Sequence, residues 1–197
     1  MFKAMIRFAA VAAGMVALAG VSTSSARADF FDDLFGGPGS SYSSGASTVR
    51  FPASYGPGQI VISFGDRRLY WTVGKGKAIS YPIAIPKGEA RWSGILSVSQ
   101  KRVNPDWTPT ADMRRENPKL PAYVPGGHPR NPLGVRALYL GGTLYRIHGT
   151  DAPWLIGQEV SHGCIRMHNS DVIDLYNRAR VGTRVTVTWS RFGGGTS

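Results

Sequence analysis

Apolar positions along this 197-residue chain fall into three regimes. From Phe8 to Val21 they form an almost unbroken run, between residues 29 and 57 they are sparse, and from about residue 58 they alternate with polar positions at period two. That last spacing is the signature of strands with one buried face. Ile60, Ile62 and Phe64 alternate with Val61 and Ser63. After the Gly65-Asp66-Arg67 turn, Leu69 to Val73 returns as the second arm of a hairpin. Lys77 to Ile85 and Ile95 to Val103 read as further strands. Val135 to Leu140 is predicted to pair with Thr143 to His148 across a two-residue Gly141-Gly142 turn. Val185, Val187 and Trp189 alternate with Thr186 and Thr188 in a closing strand. One segment has helical spacing instead. Val172, Leu175, Tyr176 and Ala179 stand at i, i+3, i+4 and i+7, with Asn169 or Ser170 to cap the start and Asp171 in the first turn. Arg178 and Arg180 favour its C-terminal end, and Gly182 stops it. The fold class is therefore mostly β, with one helix following Cys164.

Between Asn104 and Pro132 the alternation disappears. Seven prolines fall there, three of them in Asn-Pro pairs, which predicts a long irregular loop with extended stretches. Long loops within compact domains commonly serve as lids or binding walls. Trp107, Tyr123 and His128 are then candidates to face a substrate, although the aromatics serve equally well to pin the loop onto the sheet.

The ends of the chain bear on its compartment. Lys3 and Arg7 precede the apolar run and Ala26-Arg27-Ala28 follows it, which predicts a secretory signal over residues 1–28 with cleavage before Asp29. The run is short for a membrane span, an uncleaved anchor being the alternative, and no cysteine stands near the site for lipid attachment. Residues 29–57 open with Asp29-Phe30-Phe31-Asp32-Asp33-Leu34-Phe35 and continue into a Gly/Ser-rich run, which predicts a flexible tether. Residues 58–190 are predicted to form one globular domain, and 191–197 a flexible tail. The formal charge of +11 falls to +8 when Lys3, Arg7 and Arg27 are removed with the signal. An exported surface this basic suits anionic headgroups, wall polymers or acidic peptides, and nucleic acid is excluded by the compartment; solubility alone is an equal use for the charge.

Against that background the single cysteine changes the picture. A lone thiol is ordinarily a small buried core residue. Here it sits in Ser161-His162-Gly163-Cys164-Ile165-Arg166, and an unpaired thiol in an oxidising compartment points to a reactive group or an intermolecular bridge. Gly163 removes side-chain bulk and frees backbone N–H groups to face a reacting carbonyl, while histidine and arginine favour thiolate. His148 is the leading candidate base, since it ends a strand and Gly149-Thr150 leave its imidazole room. His162 is the alternative, although its side chain is expected to bond to backbone and stiffen the turn. His168 and His128 are expected to make structural hydrogen bonds. A metal site would need His148, His162, His168 and Cys164 together, without the paired spacing of structural zinc sites, so neither metal nor cofactor is expected. Ser161 lacks the Gly-x-Ser-x-Gly context of a serine nucleophile.

Tyr145-Arg146-Ile147-His148-Gly149-Thr150 followed by Ser161-His162-Gly163-Cys164-Ile165-Arg166-Met167 resembles the catalytic signature of the L,D-transpeptidase (YkuD) family. Asn131-Pro132-Leu133-Gly134 before Leu138-Tyr139-Leu140 is also similar, and the likeness runs from about Gln59 to Val187. The resemblance implies a β-sandwich of mixed sheets, export to the periplasm or cell envelope, and action on peptidoglycan stem peptides. It further implies that Cys164 attacks the carbonyl of the third stem residue, expels the terminal D-amino acid and forms a thioester, with His148 handling the protons. Backbone N–H groups around His162, Gly163 and Cys164 would hold the oxyanion, supported by Ser161 and Gly149. Arg166 would pair with a substrate carboxylate or with the helix start, and Trp107 and Tyr123 would contact substrate. An amine from a neighbouring stem would give a 3→3 cross-link, an amine from a protein would anchor that protein to the wall, and water would make the site a peptidase. A non-catalytic wall-binding protein is the remaining alternative.

Overall fold

In a computed structural model that describes residues 45–193, the alternating segments become strands β1 (Ser47–Arg50), β2 (Ile60–Ser63), β3 (Arg68–Gly74), β4 (Lys77–Pro86), β5 (Gly94–Val103), β6 (Arg136–Leu140), β7 (Arg146–His148), β8 (Glu159–Ser161), β9 (Ile165–Met167) and β10 (Arg184–Thr188). They follow the order β1-β4-β3-β2-β10-β5-β6-β7-β9, with β8 and β9 also pairing with β4. Two ten-residue strands make this a sandwich. β4 pairs with β3 over Lys77–Pro82 and with β9 at Ile83 and Ala84. β5 pairs with β10 at Gly94–Ser97 and with β6 from Val98 onward. Each long strand thus passes from one sheet to the other, and the space between the sheets holds the core. The β2–β10, β4–β8 and β7–β9 pairs are parallel, so the sheets are mixed as expected.

Ile60, Ile62, Leu69, Ile83, Leu138, Ile147, Ile165, Val185 and Val187 meet in that core, and the helix α2 (Asn169–Arg178) adds Val172 and Leu175. β2 is buried on both faces, against the one-sided burial its alternation predicts. The cause lies in the segments read as tether and tail. Ser47–Arg50 pairs with β4 in the sheet. Phe51 is buried with Val61, Tyr70 and Ala78 in a second small cluster. Phe192 closes it, its ring centre 4.7 Å from that of Phe51 and its backbone N–H donating to the Asp66 carboxylate. The ordered fold therefore begins before residue 58 and runs past residue 190; the signal segment and most of the tether lie outside the described residues.

Three local expectations change. The β6–β7 connection is longer than two residues, because the Leu140 N–H donates to the Tyr145 carbonyl and leaves residues 141–144 in the turn. The proline-rich segment contains a short helix, α1 (Ala111–Glu116), capped by Thr110, whose hydroxyl accepts from the Met113 N–H. Its prolines flank that helix, which at a turn and a half is too short to show a helical period. The start of α2 is His168, and the Asn169 amide turns away to the backbone of Thr150. At the other end the helix stops at Arg178, before Gly182, where Lys101 Nζ donates to the Tyr176 and Ala179 carbonyls.

Candidate active site

The cysteine motif lies where β8 leaves and β9 begins, and the candidate base lies on the strand beside it. β7 and β9 run parallel, with Ile147 opposite Ile165 and His148 opposite Arg166. Both isoleucines are buried in the core, so His148 and Arg166 project from the other face into an open cleft of about 1870 Å³ that Cys164 also lines. The cleft walls are the 3₁₀ turn at Gly88–Ala90, the helix α1 and the turn at residues 143–145.

The turn that carries Cys164 is held from several sides. Ser161 Oγ donates to the Cys164 carbonyl and receives the Gly163 N–H at 3.4 Å. Gly163 has φ +127°, and a Cβ there would lie 2.6 Å from a ring carbon of Tyr145. That ring is stacked on Trp92 at 4.6 Å, and the Trp92 indole N–H donates to the Gly163 carbonyl. Trp92 stands far from the motif in sequence, and no local signal points to it. On the other strand Gly149 admits the Asn169 carboxamide, whose oxygen would be 2.1 Å from a Cβ at that position. The clamp from Asn169 to Thr150 fixes the chain after His148.

His148 is 3% exposed. Its Nδ1 lies 2.6 Å from the Gly149 carbonyl, which can only accept, so Nδ1 carries the proton and Nε2 is left as the acceptor. Burial, with the nearby Arg166 and Arg146 charges, pushes the imidazole pKa down to about 3 against the pull of the Gly149 carbonyl. The half-buried Cys164 thiol is pushed up by burial, while Arg146 and Arg166 oppose that shift. The resting pair is therefore a neutral thiol and a neutral imidazole.

The depressed histidine has a consequence for stability. The unfolded chain takes up a proton near pH 6.5 that the native imidazole refuses until about 3, so stability is lost as pH falls through that window. Between pH 7.5 and 5 this amounts to about 2 kcal/mol. Urea unfolding at the two pH values is expected to show that loss in the native protein and a flatter dependence in His148→Asn; equal slopes would refute the assignment.

The other candidates separate. His162 Nε2 meets Glu116 Oε2 at 2.8 Å, a link from the cysteine turn to α1 in place of the expected backbone bond. Arg166 is pulled down by burial, with Asp151 opposing, and its Nε has no partner among the described residues. Trp107 lines the cleft and pairs with Val124 in the proline-rich wall. Tyr123 stays outside the cleft lining, exposed, with its hydroxyl on Asp106. His128 Nδ1 accepts the Arg130 N–H within a turn.

A thiol and a neutral imidazole opening on one cleft, with a glycine turn at the sulfur, have the chemistry of covalent acyl transfer. The family model for the YkuD L,D-transpeptidase catalytic domain matches residues 57–187, and the chain belongs to that family. The probable L,D-transpeptidase ErfK/SrfK of Escherichia coli K12 is 42% identical over 135 residues, 65% of this chain and 43% of that protein. The probable L,D-transpeptidase YbiS of the same strain is 44% identical over 133 residues, 64% of this chain and 43% of that protein. The match thus spans less than half the length of these relatives. The fold is shared with the catalytic domain of an Enterococcus faecium L,D-transpeptidase, with TM-score 0.52 at 19% identity over 68% of this chain and 98% of that one. It is shared also with an L,D-transpeptidase from Mycobacterium smegmatis, with TM-score 0.52 at 18% identity over 66% and 58%.

Proposed function

We propose that this chain is an exported peptidoglycan L,D-transpeptidase with Cys164 as nucleophile and His148 as its base. The observation that carries this reading is the shared cleft of Cys164 and His148, with Nδ1 of the imidazole fixed on the Gly149 carbonyl. Nε2 takes the thiol proton as the sulfur attacks the third-residue carbonyl of a stem tetrapeptide. The amide C–N bond then breaks, the departing D-amino acid receives the proton, and a thioester remains. An acceptor amine reverses these roles, yielding a 3→3 cross-link or a protein anchored to the wall. The Gly163 N–H is turned to Ser161, which leaves the neighbouring amides of His162 and Cys164 as the oxyanion donors. Arg166 lines the cleft with an unpartnered Nε, which favours a substrate carboxylate over the helix start as its partner. Trp107 is the substrate contact from the proline-rich wall, and α1 restricts water on that side.

Export rests on the signal pattern of residues 1–28; among the described residues no helix is long and apolar enough to cross a membrane. The test is to incubate the mature protein with disaccharide-tetrapeptide and follow products by mass spectrometry. Loss of the terminal D-residue with formation of cross-linked dimer is expected. Loss of that residue as free tripeptide alone would make the enzyme a peptidase, and an unchanged substrate would overturn the reading.

A further inference from the structure

The strand register sets one more side chain against the sulfur. One step before the Ile147–Ile165 pair stand Arg146 on β7 and Cys164 at the entrance to β9. By the alternation that sends both isoleucines into the core, Arg146 and His148 project from one strand and Cys164 and Arg166 from the next, and all four line the cleft. The Arg146 side chain is fixed over the Tyr139 ring, its guanidinium carbon 5.0 Å from the ring centre, and its Nε is buried with no partner. Among the described residues it makes no ion pair. At rest Cys164 Sγ donates to the Leu144 carbonyl at 3.8 Å, and the Arg146 charge beside it favours the thiolate.

We infer that Arg146 is the thiolate-holding residue of this site, donating to Cys164 Sγ while the proton is away. This rests on the proposed cysteine-dependent reaction. With both partners neutral at rest, the proton transfer creates two charges in a poorly solvated place. The Sγ–H bond breaks, the proton goes to His148 Nε2, and the electron pair stays on sulfur. The new imidazolium is disfavoured by Arg166 and Arg146, so the step needs its compensation on the sulfur side. Arg146 supplies it with a fixed charge and N–H donors in a planar fork. When sulfur bonds to the substrate carbon its charge is spent, and the Arg146 and Arg166 charges then favour release of the imidazolium proton to the leaving amine.

The other charged groups do not replace it. Arg166 faces the sulfur too, but Asp151 shares its charge. His162 is tied to Glu116 on α1. Across the cleft, Lys87 and Glu89 of the 3₁₀ turn oppose each other in sign, as do Asp112 and Arg115 of α1.

The test is the pH dependence of Cys164 alkylation by iodoacetamide, which needs thiolate and no peptide substrate. In Arg146→Gln the midpoint is expected to rise by about one pH unit, and the rate at pH 7 to fall about tenfold. Arg166→Gln should move it less. Arg146→Lys keeps the charge without the fork and should fall between native and Arg146→Gln; if the glutamine variant does not fold, an upward shift in the lysine variant carries the same conclusion. A folded Arg146→Gln, or failing that Arg146→Lys, with the native midpoint would overturn the assignment, as would an equal or larger shift in Arg166→Gln. An Arg146-dependent midpoint in a protein that leaves tetrapeptide untouched would keep this assignment and sink the transpeptidase reading.

Discussion

Cys164→Ala is expected to abolish acylation by stem tetrapeptide, and His148→Ala to slow it about a thousandfold. The two losses differ in kind. Without sulfur no thioester can form, so intact-mass measurement should find no adduct at any pH. Without the imidazole the thiol remains, but burial holds it protonated near neutrality. Raising the pH then supplies thiolate from solvent, and His148→Ala should recover part of its rate in alkaline solution. The native profile should lack an acidic limb set by a histidine near pH 6.5, because His148 stays neutral down to about 3. A His148→Ala enzyme within tenfold of native at pH 7 would remove His148 from the mechanism and return His162 to consideration. Against that alternative stands the geometry: the His162 ring is half exposed and engaged with Glu116.

Much of this arrangement was legible in the residues because it is local. Period-two alternation placed the long strands, since each has one face in the core between the sheets. The helix after the cysteine was readable from Val172, Leu175 and Tyr176, which pack or abut that core. What escaped depended on partners distant in sequence. Ser47–Arg50 has no pattern of its own and is a strand only because β4 offers an edge. β8 and β9 are three residues each, too short for a period to show, yet β9 sets Cys164 beside β7. Trp92 and Tyr145 meet across the fold, and Asn169, a cap candidate alongside Ser170, bonds instead to Thr150, 19 residues earlier. The proposed nucleophile and its proposed base were therefore visible as motifs, whereas the groups that fix their geometry were not.

The second large effect is expected at Gly163. A side chain there meets two obstacles that add. At φ +127° the backbone occupies a region that residues with a Cβ rarely adopt, which costs about 1–3 kcal/mol. The new methyl would also lie 2.6 and 2.9 Å from ring carbons of Tyr145. That ring cannot yield cheaply, since it is stacked on Trp92, whose indole N–H holds the Gly163 carbonyl. The strain is relieved by rotating the peptide units around Gly163, which carries the adjoining amides away from the oxyanion. Gly163→Ala should thus lower the rate of acylation by peptide about a hundredfold or more. Alkylation of Cys164 by iodoacetamide, which forms no oxyanion, should change only a few-fold, on the order of the thiol's altered environment. Adding Tyr145→Ala removes the clash and leaves the dihedral strain, so the double variant should regain part of the lost acylation rate. Peptide acylation and alkylation that fall together would show general damage to the thiol, and a Gly163→Ala enzyme with native acylation would show that the turn tolerates a side chain. The separation of the two rates is what assigns Gly163 to the oxyanion and not to the nucleophile.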